Sequence, residues 1–238
     1  MLGNDVVDLH DQDSWPETYR PGFDERVFSP DERWAIAHDL DPLARRWAHW
    51  GAKEAAYKLV RQIDSTFVFS PGRLVACYAS VASGAGGRIE RRGNLSINRP
   101  DTAGGFSELR IELRSFETSE RIHVIAVPAG TDWGAVDSSV ERLEIDQKDA
   151  SAAVRRMAVA EIGRRLGVDL DRLSIGRRGR IPTVLLDGSE TSLSLSLSHH
   201  GKWISYAMGL RVDSKRHSGW VNSGSPFASP VASRVQTA

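Results

Sequence analysis

PLARRWAHWGAKEAAYKLVR, residues 42–61, decides how the chain folds, because its pattern fits a helix and divides that helix into distinct faces. Asp41 suits the cap position and Pro42 the first helical turn. At about 100° per residue, Trp47, Trp50, Glu54, Tyr57 and Lys58 share one face. Ala44, Ala48, Ala52, Ala55 and Leu59 form a small-residue flank that permits close packing. Arg45, Arg46, His49 and Lys53 are expected on the solvent side. Glu54 and Lys58 therefore lie among aromatics. As a surface i,i+4 ion pair they would contribute only ~0.2–0.5 kcal/mol. Burying both charges in a helix stripe is costly unless a ligand or metal accepts them. Surface pair and ligand site are both open at this point.

Outward from this helix, the chain begins with a strand, in which Leu2, Val6, Val7 and Leu9 alternate with acids at Asp5 and Asp8. SPDERWAIAHD reads as a helix start, with Ser29 as cap, Pro30 in the first turn and Glu32 completing a capping box. From Thr66 to Val127 the signals become short β-rich runs, broken by turn clusters at 83–87, 100–105 and 117–120. Residues 128–147 read as a polar connection, followed by a helix from Ala150 to Leu166 stopped by Gly167. Strands are expected around 173–175, 183–186, 193–198 and 203–210. The organisation is α+β in two halves: a first lobe over 1–140, a second over 141–212, and a Ser/Gly/Pro-rich tail over 213–238 expected to be disordered.

Composition narrows the function. Lys plus Arg number 31, equal to Asp plus Glu at 31, so the chain lacks the basic excess of a general nucleic-acid binder. The single cysteine, Cys77, cannot form an internal disulfide, which fits a reducing compartment. MLGNDVVDL carries acids where a secretion signal would carry basic and then apolar residues, and no run is long enough for a membrane helix. The expected location is cytoplasmic.

Three further features carry chemistry. Asp5, beside Gly3 in an apolar strand start, is either a water-facing edge residue or a ligand. Two carboxylates on separate elements can hold Mg²⁺, whose remaining ligands are usually waters and substrate phosphates. LSLSLSHHGKWISYA (193–207) alternates Leu with Ser, reads as a half-buried strand, and delivers Ser198 and His199 to its end beside Gly201 and Lys202. Such a strand end suits phosphate, or else is a polar face with a solvated His pair. RRGRIP (177–182) concentrates Arg177, Arg178 and Arg180; arginine forks suit phosphate oxygens, while an arginine run is also a common solvated loop.

Together these residues resemble the 4′-phosphopantetheinyl transferase superfamily. Gly3-Asn4-Asp5-Val6-Val7-Asp8-Leu9 is similar to the opening G-x-D-[IV]-V-[DE]-[IL] of the holo-acyl-carrier-protein synthases. The stretch from Arg26 to Ile36 resembles the helix start that follows in that group, and Trp50 to Lys58 resembles its W-x-x-K-E-A-x-x-K. The second half resembles the N-terminal half of the larger Sfp-type enzymes, through Arg155, Gly179-Arg180-Ile181-Pro182 and Ser198-His199-His200-Gly201-Lys202-Trp203. The order of the halves is reversed here, which implies a circular permutation or, alternatively, a small synthase subunit with a long insertion.

The resemblance implies a pseudo-dimeric fold of two similar lobes with the site between them, sufficient as a monomer. It implies an enzyme that moves 4′-phosphopantetheine from coenzyme A to a serine of an apo acyl carrier protein, or of a carrier domain of a polyketide or peptide synthase. Asp5 and Glu54 would hold Mg²⁺. Lys58 would neutralise or protonate the departing phosphate. Arg180, Ser198, His199 and Arg155 would contact the coenzyme, and the serine proton would pass to Glu54 or to a metal-bound water. A second acid often found two residues after the first is Val7 here, and Asp8 points to the opposite strand face. A non-catalytic carrier-protein or nucleotide-binding relative is the rival reading.

Overall fold

The computed structural model describes residues 1–97, 109–143 and 149–210. The first sheet runs in the order β1 (Gly3–Asp8), β5 (Arg121–Pro128), β4 (Ile111–Glu117), β3 (Ile89–Ile97) and β2 (Leu74–Ser83). The second runs β6 (Asp137–Arg142), β10 (Trp203–Leu210), β9 (Ser189–His200), β8 (Ile181–Leu186) and β7 (Leu173–Arg178). All pairings are antiparallel. Short helices α1 (Phe23–Val27) and α2 (Pro30–Ala37) precede the long α3 (Pro42–Ile63), and α4 (Ala150–Leu166) serves the second half. The sequence of elements β1–α3–β2–β3–β4–β5 recurs as β6–α4–β7–β8–β9–β10. In each sheet the first strand lies beside the last.

The chain is thus mixed α+β. The change of sheet comes before residue 140, because β6 already pairs with β10 from Asp137 onward. This strand lies inside the stretch expected to be a connection. Its sequence DSSVER has one apolar residue, and the backbone edge offered by β10 is what makes it a strand. The turn cluster at 100–105 and the tail at 213–238 lie outside the described residues.

The long helices begin and end as their sequences require. Asp41 caps α3 by accepting from the Ala44 N–H, and Asp149 caps α4 by accepting from Ala152. Gly167, at φ +64°, ends α4 in a left-handed conformation. The alanine flank of α3 packs on β1 and β5 with Ala48, Ala52, Ala55 and Leu59 fully buried. Contact is so close that a Cβ on Gly3 would overlap the Ala55 carbonyl oxygen, and one on Gly51 would meet Val124 at 2.9 Å. In the second half, Ala158 and Ile162 of α4 pack with Leu195, Tyr206 and Met208.

Two faces differ from expectation. Arg45, His49 and Lys53, assigned to solvent, are buried, and Lys53 is 0% exposed. The Lys53 ammonium donates to Glu32 Oε2 at 2.8 Å, to the Pro71 carbonyl at 3.1 Å and to the Leu74 carbonyl. Glu32 closes its capping box with Ser29 and also accepts from the Ala76 N–H. A helical wheel drawn on α3 alone could not include the cover that α2 and β2 supply.

The Leu–Ser alternation of β9 reads as a half-buried strand, but its serine face is covered too, with Ser194, Ser196 and Ser198 buried. Ser194 donates to Gln62 Oε1 at 2.8 Å, while Ser196 and Ser198 meet the outer edge of β1, whose alternate N–H groups have no partner in their own sheet. Asn4 N donates to Ser196 Oγ (2.9 Å), Val6 N to Ser198 Oγ (3.4 Å) and Asp8 N to His200 Nδ1 (3.0 Å). The side-chain acceptors at 196, 198 and 200 recur every second residue because the N–H groups they satisfy do the same.

Candidate functional site

The seam between β1 and β9 opens at one end into a cleft of about 400 Å³, lined by Asp5, Glu54, Lys58, Ser198, His199 and His200, with Trp47 and Trp50 as apolar wall. Each element supplies its residue for a local reason. Asp5 sits in β1 opposite Val124 of β5, on the face turned to α3. Glu54 and Lys58 stand one turn apart on α3, and Ser198 comes from the inward face of β9.

Lys58 binds these parts together. Its ammonium donates to Asp5 Oδ1 at 2.8 Å, to the Asn4 carbonyl at 3.0 Å and to Ser198 Oγ at 3.0 Å. The Ser198 hydroxyl donates to the same Asp5 Oδ1 at 2.7 Å. The Glu54 carboxylate makes no hydrogen bond among the described residues. Burial, with the Asp5 charge added to it and the Lys58 charge opposing, pushes its pKa up to about 7. A half-buried, unpartnered carboxylate beside a second carboxylate is a site short of positive charge. Two hard oxygen donors of this kind suit a small divalent cation.

The remaining sequence candidates distribute as follows. His199 is exposed at the cleft mouth. Arg155 and Arg180 do not line the cleft: Arg155 Nη1 donates to the Ile175 carbonyl at 3.4 Å, and Arg180 is exposed in the turn between β7 and β8. Val7 lines the cleft as an apolar residue. Asp8 is buried and fully engaged, accepting from His10 N and Lys202 N at 3.0 Å each. It thereby holds the β9–β10 turn at Gly201 against β1, and both oxygens are committed to that task.

Sequence reading missed Asn4 and His200. Asn4 occupies the variable position of its motif, and His200 was overshadowed by its neighbour; only the seam geometry gives either a role. His200 also approaches Asp11 and Asp13, and the three could offer ligand atoms within 4.8 Å of one another. Asp11 already accepts from the Asp13 N–H and His200 Nδ1 from the Asp8 N–H, so ordinary turn chemistry accounts for that cluster.

Residues 1–72, which include Asp5, Glu54 and Lys58, match the family model of the 4′-phosphopantetheinyl transferase superfamily. The resemblance read from the opening motif and from Trp50 to Lys58 is therefore shown, and it supports phosphopantetheine transfer as the general activity. No curated protein matches the chain. No helix among the described residues is long and apolar enough to cross a membrane.

Proposed function

We propose that the chain transfers 4′-phosphopantetheine from coenzyme A to a serine of an apo acyl carrier protein, with Mg²⁺ held by Asp5 and Glu54. The observation that carries this reading is the convergence on one cleft of Asp5, Glu54 and Lys58 from the first half with Ser198 and His199 from the second. The recurrence of one strand order in both sheets supports a pseudo-dimeric arrangement that completes the site within a single chain, and the reversed order of the motifs in the sequence favours a permuted one.

Mg²⁺ at the two carboxylates would neutralise charge on the coenzyme pyrophosphate. The chain's own residues do the rest. Lys58, aimed by its bonds to Asp5 and Ser198 and with 28% of its side chain exposed, would present its ammonium to the phosphate of the leaving nucleotide. The proton of the attacking serine would pass to Glu54, whose pKa of about 7 in the metal-free chain a bound cation would lower, or to a metal-bound water. His199 at the mouth would contact coenzyme phosphates. Arg155 and Arg180, outside the cleft lining, would meet only the nucleotide end of a coenzyme that extends beyond it. The Trp47–Trp50 wall excludes water from one side.

Mass spectrometry of apo carrier proteins incubated with coenzyme A, Mg²⁺ and this chain tests the reading. The expected result is a gain of one phosphopantetheine per carrier. No mass gain on fatty-acid, polyketide or peptide carriers would overturn it.

A further inference from the structure

We infer that Ser198 is a positioning residue, which fixes Lys58 and Asp5 across the seam and does not itself take up the coenzyme. This deepens the transferase reading and rests on it for its kinetic arm.

The hydroxyl of Ser198 is fully used. A serine hydroxyl offers one donor and two acceptor sites. The donor goes to Asp5 Oδ1 at 2.7 Å, and the oxygen accepts from Lys58 Nζ at 3.0 Å and from the Val6 N–H at 3.4 Å. Ser198 is only 6% exposed. To donate to a phosphate oxygen it would have to abandon a buried carboxylate.

Lys58 depends on this hydroxyl for its direction. Its three ammonium protons have three acceptors: the Asn4 carbonyl, Asp5 Oδ1 and Ser198 Oγ. Asn4 and Asp5 are neighbours on β1, so those two bonds define a hinge about which the flexible four-carbon stem can still swing. Ser198 arrives from the other sheet, 140 residues away in sequence, and supplies the third point. The same hydroxyl also orients Asp5, through the oxygen that Lys58 touches. His199, the next residue along β9, is exposed and free of this task. The two residues of one motif thus divide the work: Ser198 aims the lysine, and His199 faces the solution from which the coenzyme arrives.

The test compares Ser198→Ala with Ser198→Thr, which keeps the hydroxyl, after melting curves establish that both fold. With coenzyme A and an apo carrier protein, Ser198→Ala is expected to lower kcat by about tenfold, the scale of one charge-assisted hydrogen bond, and to leave KM for coenzyme A within about twofold. Ser198→Thr should recover most of that loss. A rise in KM for coenzyme A with kcat preserved would make Ser198 a coenzyme ligand and overturn the inference. Equal losses in both variants would make it a matter of space, with the same effect. Absence of any transfer by the wild type would overturn the transferase reading instead. The inference is then decided by ¹⁵N spectra of the lysine ammonium groups, with the Lys58 signal assigned through Lys58→Arg. A Lys58 signal present in wild type and Ser198→Thr but lost in Ser198→Ala is expected; its persistence in Ser198→Ala would refute the positioning role.

Discussion

Asn4 and Ser196 are bonded to each other twice: the Asn4 N–H donates to Ser196 Oγ at 2.9 Å, and the Asn4 side-chain amide donates to the Ser196 carbonyl at 2.6 Å. A third bond, from Ser205 Oγ to Asn4 Oδ1 at 2.6 Å, ties the same side chain to β10. Asn4 is 0% exposed, so removing its amide strands two buried groups of the other half. Asn4→Ala should lower stability by about 2–3 kcal/mol, since each buried polar group left unsatisfied costs roughly 1–3 kcal/mol. Urea unfolding measures it, and an unchanged midpoint would show that the seam holds without Asn4.

Glu54 should make the metal-free protein less stable as pH rises. Its pKa is about 7 when folded against an ordinary 4.5, so between those values the folded chain keeps a proton that the unfolded chain releases. Stability therefore falls as pH climbs from about 4.5 to 7 and stays lower above. Glu54→Gln removes this loss. Without divalent cations, the variant should be more stable than wild type at pH 8, by the order of 2 kcal/mol after discounting for partial exposure, and indistinguishable near pH 4. It should also lose transfer activity. Thermal melts across pH check the first point; a variant less stable than wild type at pH 8 would contradict it.

Lys53 offers a sharp contrast with its neighbour. Truncating an exposed lysine changes stability by no more than about 0.5 kcal/mol. Truncating one partner of a buried ion pair costs about 3–5 kcal/mol, because the other charge stays buried. Lys53→Ala strands Glu32 and the Pro71 and Leu74 carbonyls, and the larger figure is expected. Chemical denaturation of that single variant distinguishes the two values.

Lys58 and Ser198 of one chain meet directly, so the cleft should need no second copy. Light scattering should report a monomer. A mixture of Lys58→Ala and His199→Ala chains should show no more activity than the two measured apart. Recovery on mixing would mean that the working cleft forms between chains.

The sequence carried the elements more fully than their surroundings. Cap residues and apolar periodicity sufficed for α3, for α4 from Ala150 to Leu166, and for most strands, since those signals are local. β6 lacked a local signal because its pairing is imposed by β10. Lys53 was misassigned to solvent, and the burial of the serine face of β9 went unread, for one shared reason: a polar residue reads as exposed unless its burying partner is known. Those partners, Glu32 and the edge of β1, lie 21 residues from Lys53 and 192 residues from Ser196. Asp5, Glu54 and Lys58 stood out because charged residues in apolar patterns are conspicuous, but the pattern alone left a strand edge and a surface pair open, and the resemblance supplied their roles. That Asp8 secures a turn, and that Ser198 is saturated, needed the hydrogen bonds themselves.

The edge of β1 has a consequence for how the protein must be handled. An open strand edge is a template to which any other extended chain can add. Here that edge is hidden not by another strand but by side chains at 196, 198 and 200, each of which covers one N–H. Parting the two halves would therefore expose a six-residue strand, GNDVVD, with the Val6–Val7 pair at its centre and its donors unmasked. Conditions that loosen the seam before they unfold either sheet should lead to aggregation through this strand, and solubility, more than melting temperature, will report the health of the junction.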